Sequence, residues 1–370
     1  MAGTSLPVGF KTAQGASVLV TGSSGFVGSR LVQMLLERKA KRIVCFDVVP
    51  PSKELKERFE LARKSPSADP NATVEVVVDS LTNQDAVVDA CKGVDIVYHI
   101  AALVGPFHDR AKYEAVNYRG TLHVLEGCKR HFVRRLVFSS SPSTRFTGKD
   151  ITGQREEELP IPSHFLALYA ETKAMAEQAV TEALDPPNLL TISVAPHQVY
   201  GPHDPLFLPN LLETAGNGRL RIFGAGKNIV SFCYVDNYCH GLLCGADSLE
   251  TNSPTLGKFY IVTDGEPQLF WDVLNRAIVA MGFKDLNSKL HLPLWLLYGL
   301  AYICNVIGFV TGRKLKLNPF NVRMLTIHRY FSLDNSRNHL KFEPLITFNE
   351  GWQRTIEWFQ ENWLPEYKKQ

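Results

Sequence analysis

The sequence predicts an α/β protein built on a doubly wound parallel sheet, with a smaller lobe towards its C-terminus. Short apolar runs rich in β-branched residues alternate with amphipathic stretches from residue 17 to residue 200, which is typical of parallel strands connected by helices. A glycine-rich turn joins the first apolar run to the first amphipathic stretch. We expect a tail at residues 1–16, the core at 17–200, and a region at 201–370 that mixes the lobe with elements returning to the core.

The composition favours a globular chain with a large core and argues against nucleic acid as a partner. The chain has 370 residues, of which 45% are hydrophobic and 21% charged, and its net charge is only +3. Its seven cysteines form no C-x-x-C pair and no metal-like spacing with histidine, so we expect reduced, buried thiols and no metal site. Residues 1–15 lack the basic and apolar regions of a secretory signal. The folded part is therefore expected to face the cytosol.

Three glycines, Gly22, Gly25 and Gly28, follow the first predicted strand in the spacing G-x-x-G-x-x-G. The helix that begins at about Gly25 would direct its free N–H groups and its positive dipole end at the turn. A turn without Cβ atoms lets a pyrophosphate approach the main chain. This strand, turn and helix therefore predict a dinucleotide site in a Rossmann-like sheet.

A carboxylate follows the second predicted strand, at residues 42–47. The strand ends in Asp47, nineteen residues after Gly28. A carboxylate at this position accepts hydrogen bonds from an adenosine ribose and would repel a 2′-phosphate. We therefore predict NAD as the cofactor, with NADP as the alternative.

The other core elements alternate in the same way. They are predicted, in chain order, at 53–64 (helix), 74–79 (strand), 83–91 (helix), 95–102 (strand), 113–131 (helix), 134–140 (strand), 167–183 (helix) and 190–195 (strand). The third strand ends in Asp79, and the fourth runs into Ala101, whose small side chain would let the backbone pass close to a cofactor. Asn117 lies inside the helix at 113–131, where its low helix propensity indicates a hydrogen-bonding or packing role.

A serine, a tyrosine and a lysine in the second half of the core form a candidate catalytic group. Ser141 directly follows the strand at 134–140, and Tyr169 and Lys173 lie on the helix at 167–183. Their i, i+4 spacing places them on one face of that helix. An ammonium beside a phenol favours the ionised phenol, so Tyr169 can exchange a proton with a hydroxyl that Ser141 holds. The arrangement predicts proton transfer at a substrate hydroxyl.

The glycine turn, the acid after the second strand, the strand-end serine and the Y-x-x-x-K pair together resemble the extended short-chain dehydrogenases. The resemblance implies that Tyr169, Lys173 and Ser141 are catalytic and that Lys173 also holds the nicotinamide ribose. It implies cofactor contacts from the residues at matching positions, which are Gly22, Ser24, Gly25, Phe26, Gly28, Asp47, Asp79, Ala101, Lys173 and Pro196. Pro196 opens a segment, PHQVYGP, in which Ala195 stands just before the proline where relatives have arginine.

Further segments are similar to the 3β-hydroxysteroid dehydrogenase family. They are Gly201-Pro202-His203-Asp204-Pro205, Gly226-Lys227-Asn228, Tyr234-Val235-Asp236-Asn237 with His240-Gly241, and Arg329-Tyr330-Phe331-Ser332. Within this family the chain resembles most the decarboxylating sterol-4α-carboxylate 3-dehydrogenases of sterol C4 demethylation. The resemblance runs from about residue 17 to residue 344.

This resemblance implies a sterol substrate whose 3β-hydroxyl is oxidised to a ketone. The C4 carboxylate then leaves as CO2, because a β-keto acid decarboxylates without a separate base. His108, Arg110 and Arg145 are candidates, by topology, for contacting the carboxylate. The resemblance also implies a homodimer or a sterol-demethylation complex.

Three other functions share some of these features. A general 3β-hydroxysteroid dehydrogenase with isomerase activity needs no carboxylate on its substrate. A non-catalytic dinucleotide sensor would tend to lose Tyr169 and Lys173, which are both present. A sugar-nucleotide epimerase shares the acid-base residues but does not need the apolar stretch at 292–311.

The stretch at 292–311 contains no charged residue, and basic residues flank it: Lys289 before it and Arg313, Lys314 and Lys316 after it. Twenty such residues can span a bilayer, but a span would separate the segment at 329–332 from the catalytic fold. We therefore predict a membrane-associating segment of one or two helices that dip into one leaflet, with a buried hairpin as the alternative. The expected location is the cytosolic face of the endoplasmic reticulum membrane, or a lipid droplet.

Overall fold

The computed structural model describes residues 11–105, 108–311 and 317–369. Its strands are, in chain order, β1 (Ser17–Thr21), β2 (Arg42–Asp47), β3 (Thr73–Val78), β4 (Ile96–His99), β5 (Arg135–Ser139), β6 (Ile151–Gln154), β7 (Leu190–Pro196), β8 (Val199–Tyr200), β9 (Ile229–Val230), β10 (Cys233–Tyr234), β11 (Phe259–Val262), β12 (Gln268–Leu269) and β13 (Arg329–Phe331). The strands of the core lie within one or two residues of their predicted positions, apart from β4.

The helices surround the strands and connect them. They are α1 (Phe26–Glu37), α2 (Lys53–Arg63), α3 (Gln84–Ala90), α4 (Arg110–Tyr113), α5 (Gly120–Arg130), α6 (Leu168–Glu182), α7 (Phe207–Gly216), α8 (Val235–Ser248), α9 (Phe270–Ala280), α10 (Leu294–Thr311), α11 (Pro319–Met324), α12 (Asp334–Leu340), α13 (Phe348–Trp358) and α14 (Leu364–Lys369). Helix α1 buries Leu31, Met34 and Leu35 against the sheet, as its apolar spacing predicts.

The main sheet is parallel and seven-stranded, with the order β11-β7-β5-β4-β1-β2-β3. The chain winds outwards from β1 to β3 and then crosses to β4 on the other side of β1. The doubly wound α/β sheet is therefore confirmed. The topological switch lies between β1 and β4, where such sheets bind ligands beyond the carboxyl ends of their strands.

Strand β4 is shorter than predicted because its last residues bond to a side chain. The backbone N–H groups of Ile100 and Ala101 donate to Oγ1 of Thr21, at 3.1 and 3.2 Å. The predicted helix at 113–131 begins earlier, at Arg110, and passes through a π-helical turn at Glu114–Arg119. In this turn the buried Asn117 amide exchanges two hydrogen bonds with the backbone of Leu103, at 2.8 and 3.1 Å. Asn117 thus holds the loop after β4, as its poor helix propensity indicates.

A second, smaller sheet has the order β12-β9-β13-β6. Its strand β13 lies between β6, from the predicted core, and β9, from the predicted lobe. Strand β11 in turn belongs to the lobe region and joins the main sheet. The two regions are therefore interleaved along the chain, and the small sheet forms a wall beside the carboxyl edge of the large one.

Both ends of the described chain pack on the core. Residues 1–10 of the predicted tail lie outside the described residues, but Thr12 donates two hydrogen bonds of 2.7 Å to Oδ1 of Asp247 on α8. Near the other end, Trp352 and Phe359 are buried in the main core cluster.

Helix α10 forms most of the apolar stretch at 292–311. One side of it, with Leu297 and Ala301, packs against Val322 of α11. Its other side exposes Trp295 and Tyr302 to 75% and 60%. Within the described ranges, no helix combines the length and the hydropathy that crossing a bilayer requires. The predicted basic flank at Arg313, Lys314 and Lys316 lies outside the described residues.

Candidate active site

A cavity of about 1020 Å3 opens at the carboxyl edge of the main sheet, at the large end of the range for small-molecule sites. The glycine turn, the ends of β2, β4, β5 and β7, the first turns of α6 and part of the small sheet contribute to its wall. The predicted site residues that line it are Gly22, Gly25, Phe26, Gly28, Asp47, Asp79, Ala101, Ser141, Tyr169, Lys173 and Pro196. The structure thus brings all of these residues to one cavity.

The glycine turn has the shape that a bound pyrophosphate needs. Gly22 has a φ of +75°, and a Cβ atom there would lie 2.9 Å from the backbone of Ala101. A Cβ atom on Gly28 would overlap the carbonyl oxygen of Gly22. Helix α1 has no side-chain cap and no acidic residue in its first turn, so its N–H groups are open to an anion. The turn therefore fits a dinucleotide.

We expect Gly28→Ala to raise the dissociation constant for NADH about 100-fold, because the displaced turn would lose about two charge-assisted hydrogen bonds to the pyrophosphate. Fluorescence titration with NADH measures the change. Gly299→Ala is the matched control, since no atom of the described residues outside the neighbouring turns of its own helix lies within 4 Å of the Cβ position there. Wild-type affinity in Gly28→Ala would exclude the turn as the pyrophosphate site.

Asp47 is held rigidly at the end of β2. Its Oδ2 accepts a hydrogen bond from the backbone of Ser24 at 2.9 Å, and its Oδ1 accepts one from Val49 at 3.0 Å. Ser24 is the one predicted cofactor contact outside the cavity lining, and its hydroxyl donates to the carbonyl of Val49 at 2.8 Å. Asp79 accepts from the backbone of Ser80 and the side chain of Asn83. The two carboxylates therefore mark one end of the cavity.

Tyr169 and Lys173 project from one face of α6 into the same cavity. Burial raises the pKa of Tyr169 to about 12, and its hydrogen bond with Ser141 opposes that shift. Burial lowers the pKa of Lys173 to about 7, and the nearby negative charge of Glu177 partly opposes this shift. The Lys173 Nζ donates to the carbonyl of Ser139 at 2.5 Å and lies 3.9 Å from the ring centre of Phe138. Tyr169 and Ser141 are thus hydrogen-bonded to each other, and Lys173 lies one helical turn from Tyr169 in the same cavity.

A buried ion pair supports this group from behind. Glu177 lies one turn after Lys173 on α6, and its Oε1 is 2.5 Å from Nη2 of Arg145. Its Oε2 accepts a hydrogen bond of 2.6 Å from Ser140. The side chains of Arg145 and Glu177 are only 9% and 4% exposed. Glu177 is not among the predicted site residues, although its spacing of four from Lys173 is the signal that could have indicated it.

The rest of the cavity wall is mostly apolar and comes from the small sheet and its surroundings. It includes Phe146, Phe320, Met324 and Phe331, together with His197 and Arg329. His197 also bonds to the backbone, with its Nδ1 2.7 Å from the carbonyl oxygen of Ser231. Burial lowers the pKa of His197 to about 3, so its ring is neutral. This half of the cavity is suited to a large apolar ligand.

The three candidates for contacting a carboxylate do not contribute to the described lining. Arg145 pairs with Glu177, and Arg110 pairs with Glu171 at 2.9 Å and Glu114 at 3.3 Å. The ring of His108 lies 5.4 Å from that of Tyr113. The two arginines already have carboxylate partners within the protein.

A model of the 3-beta hydroxysteroid dehydrogenase/isomerase family matches residues 19–294, which include every predicted site residue. The chain belongs to this family. Membership in the 3-beta hydroxysteroid dehydrogenase/isomerase family confirms the predicted family and makes the protein an oxidoreductase.

Individual relatives cover nearly the whole chain. The sterol-4-alpha-carboxylate 3-dehydrogenase, decarboxylating, of Mus musculus is 31% identical over 92% of this chain and 90% of its own length. An Arabidopsis thaliana protein named 3beta-hydroxysteroid-dehydrogenase/decarboxylase isoform 1 is 30% identical over 92% of this chain and 79% of its own length. The names of both relatives agree with the family that the sequence resembles.

A solved structure shows the same fold. The dTDP-glucose 4,6-dehydratase DesIV of Streptomyces venezuelae, with NAD and TYD bound, has a TM-score of 0.70 and 20% identity, over 94% of this chain and 97% of its own. Together with the glycine turn and the Tyr169 and Lys173 pair, these findings confirm the prediction of a dehydrogenase that uses a nicotinamide dinucleotide.

Proposed function

We propose that this protein oxidises the 3β-hydroxyl of a 4α-carboxysterol with NAD and releases the C4 carboxylate as CO2. The observation that carries the proposal is the position of Tyr169, Ser141 and Lys173 between a dinucleotide-shaped turn and an apolar half-cavity. The names of the mouse and Arabidopsis relatives support the substrate class and the decarboxylation. A general 3β-hydroxysteroid dehydrogenase is the alternative.

The residues that would hold NAD are spread along one side of the cavity. The glycine turn would bind the pyrophosphate, Asp47 the adenosine ribose, and Lys173 the nicotinamide ribose. A 2′-phosphate would lie close to the Asp47 carboxylate and be repelled, which favours NAD over NADP. When bound, NAD supplies the acceptor for the hydride that leaves C3.

The chain itself provides positioning and proton transfer. Ser141 would hold the substrate oxygen, and Tyr169 would take its proton as the C3 carbonyl forms. The pKa of about 12 in the ligand-free protein makes Tyr169 a poor base, so positive charge must stabilise the phenolate. Lys173, one helical turn away and partly protonated at neutral pH, supplies such charge.

Oxidation creates the conditions for the second step. The new ketone lies β to the C4 carboxylate, so the bond between C4 and the carboxylate carbon can break. Its electron pair becomes the enolate of the ketone, and a proton later adds at C4. Tyr169, now protonated, can donate a hydrogen bond to the enolate oxygen, and no separate base is needed.

Steady-state kinetics test this function directly. The purified protein in detergent micelles would receive NAD with a 4α-carboxy-3β-hydroxysterol, or with the same sterol lacking the carboxylate. We expect NADH formation and CO2 release with the acid. Equal turnover of both sterols would establish the general dehydrogenase instead. Tight NADH binding without turnover of either sterol would favour a dinucleotide sensor.

We further propose that α10 rests on a membrane surface, with the body of the protein on the cytosolic face of the endoplasmic reticulum or on a lipid droplet. The exposed side of α10 includes Trp295, Tyr302, Ile303 and Val306, at 75%, 60%, 57% and 62% exposure. So large an exposed apolar patch is typical of an interaction surface, and aromatic residues favour the boundary of a bilayer. A sterol substrate dissolved in the membrane gives this contact a use.

Assembly as a homodimer or in a sterol-demethylation complex remains a proposal from the resemblance.

Replacing both Ile303 and Val306 with glutamate is expected to reduce binding to phosphatidylcholine vesicles at least about tenfold, because two buried apolar side chains are lost. Co-sedimentation with the vesicles measures the change. Leu61→Glu, at a position on α2 that is 75% exposed, is the control. If the wild type fails to sediment with vesicles, the membrane proposal falls.

A further inference from the structure

Arg329 is a buried cation in the wall of the cavity. It begins β13, where its backbone lies opposite Ile151 on one side and Val230 on the other. Its carbonyl accepts a hydrogen bond of 2.9 Å from the backbone of Ser231. The residue is only 9% exposed and lines the main cavity. The small sheet thus places Arg329 in the wall of the space where a ligand would lie.

Few groups of the protein compensate for burying the charge of this guanidinium. Its one described hydrogen bond runs from Nη2 to the carbonyl of Met324, at 2.9 Å, and its buried Nε has no partner. Within the described residues, no Asp or Glu oxygen lies within 4.0 Å of it. Burial alone lowers its pKa, to about 10. Arg329 is therefore charged at neutral pH without a carboxylate at contact distance.

The contrast with Arg145 shows what is unusual here. Arg145 is about equally buried and its Nε also lacks a hydrogen-bond partner, but Glu177 neutralises its charge. Burying an unpaired charge is costly, so a buried arginine without an acid is expected where a ligand supplies the anion. The planar guanidinium binds a carboxylate through two parallel hydrogen bonds.

The surroundings of Arg329 belong to the apolar half of the cavity. Phe331, on the same strand, and Met324, Phe320, Phe146 and Ile151 line the same space. The nearby His197 is neutral, and the charge of Arg329 contributes to the lowering of its pKa. An apolar ligand with one anionic group matches this wall. The glycine turn and Asp47 belong to the other sheet, so the cofactor pyrophosphate already has a different site.

We infer that Arg329 binds the C4 carboxylate of the sterol acid and selects it over neutral sterols. This inference rests on the proposed function, and it replaces Arg110, Arg145 and His108 as the carboxylate contact. It also gives a reason for an arginine that is buried without an acid. Because C3 and C4 are adjacent carbons, the contact would also fix where the C3 hydroxyl lies in the cavity that Tyr169 lines.

The test compares Arg329→Met with the wild type. We expect the KM for the 4α-carboxysterol to rise about 10- to 100-fold, since a charge-assisted bidentate contact is lost. The affinity for the sterol without the carboxylate, measured as KM or as an inhibition constant, should stay within about twofold, and so should the NADH dissociation constant. Arg155→Met, which breaks an exposed pair with Asp334, is the control and should leave all three values unchanged.

The outcomes separate this inference from the proposed function. If the wild type does not turn over the acid, the proposed function fails. The inference is overturned if the wild type turns over the acid but Arg329→Met has an unchanged KM for it. It is also overturned if Arg329→Met binds both sterols more weakly by the same factor. A rise confined to the NADH dissociation constant would also overturn it. If Arg329→Met does not bind NADH at all, Arg329→Lys is tested in its place. We then expect a smaller rise in KM, and only for the acid.

Discussion

Tyr169→Phe is expected to lower kcat about a thousandfold, because it removes the group that takes the substrate proton. The phenyl ring keeps the packing of Tyr169 on α6, and only the hydroxyl that bonds to Ser141 is lost. The NADH dissociation constant should therefore stay close to the wild-type value. NADH formation at saturating sterol and NAD measures kcat, and fluorescence titration measures binding.

Tyr330→Phe is the control for this substitution. Tyr330 lies on β13 between the cavity residues Arg329 and Phe331 and is not part of the described lining, since side chains alternate along a strand. Loss of the Tyr330 hydroxyl should leave kcat unchanged. Wild-type turnover by Tyr169→Phe would show that another group accepts the proton.

Glu177→Gln is expected to destabilise the fold by about 3 kcal/mol, because it leaves the buried Arg145 charge without its partner. The amide can still accept the hydrogen bond from Ser140, so the effect isolates the charge. Urea unfolding followed by tryptophan fluorescence measures it. Glu171→Gln, on the same helix, breaks an exposed pair with Arg110 and should cost less than about 1 kcal/mol.

The same variant changes the titration of the site. Glu177 raises the pKa of Lys173, which is about 7 in the wild type. Without that negative charge the pKa of Lys173 falls, so Lys173 loses its proton at lower pH. Because the charge of Lys173 stabilises the phenolate, we expect the fall of kcat/KM at high pH to begin at lower pH in Glu177→Gln. An unshifted profile together with wild-type stability would mean that the ion pair does not support the catalytic group.

The parts of the site that could be predicted from sequence are those whose geometry is local. Gly22 to Gly28 form one turn, and Tyr169 and Lys173 share one helix face, so spacing alone places these residues relative to one another. The position of Asp47 could be predicted because Asp47 ends β2, and the bounds predicted for that strand, 42–47, are those that the structure shows.

The role of Arg329 could not be predicted in this way. In the sequence, Arg329 and Arg145 look alike, and both stand near strands. Only the fold brings Glu177 to Arg145 and leaves Arg329 without an acid, because β13 is inserted between two strands from distant parts of the chain. The location of an unpaired charge depends on every neighbour in space, which no spacing along the chain encodes.

The interleaved small sheet also bears on how the protein is made. Strand β6 leaves the ribosome long before β13, its partner in the sheet, which begins at Arg329. At about 5–20 residues per second, the interval is roughly 10 to 40 seconds. The glycine turn and the first strands can fold during that time, whereas Phe146 and Ile151 still lack the strand that covers them. Nascent chains of this protein would therefore expose the apolar side chains of Phe146 and Ile151 until β13 has been made, and such a surface is a target for chaperones.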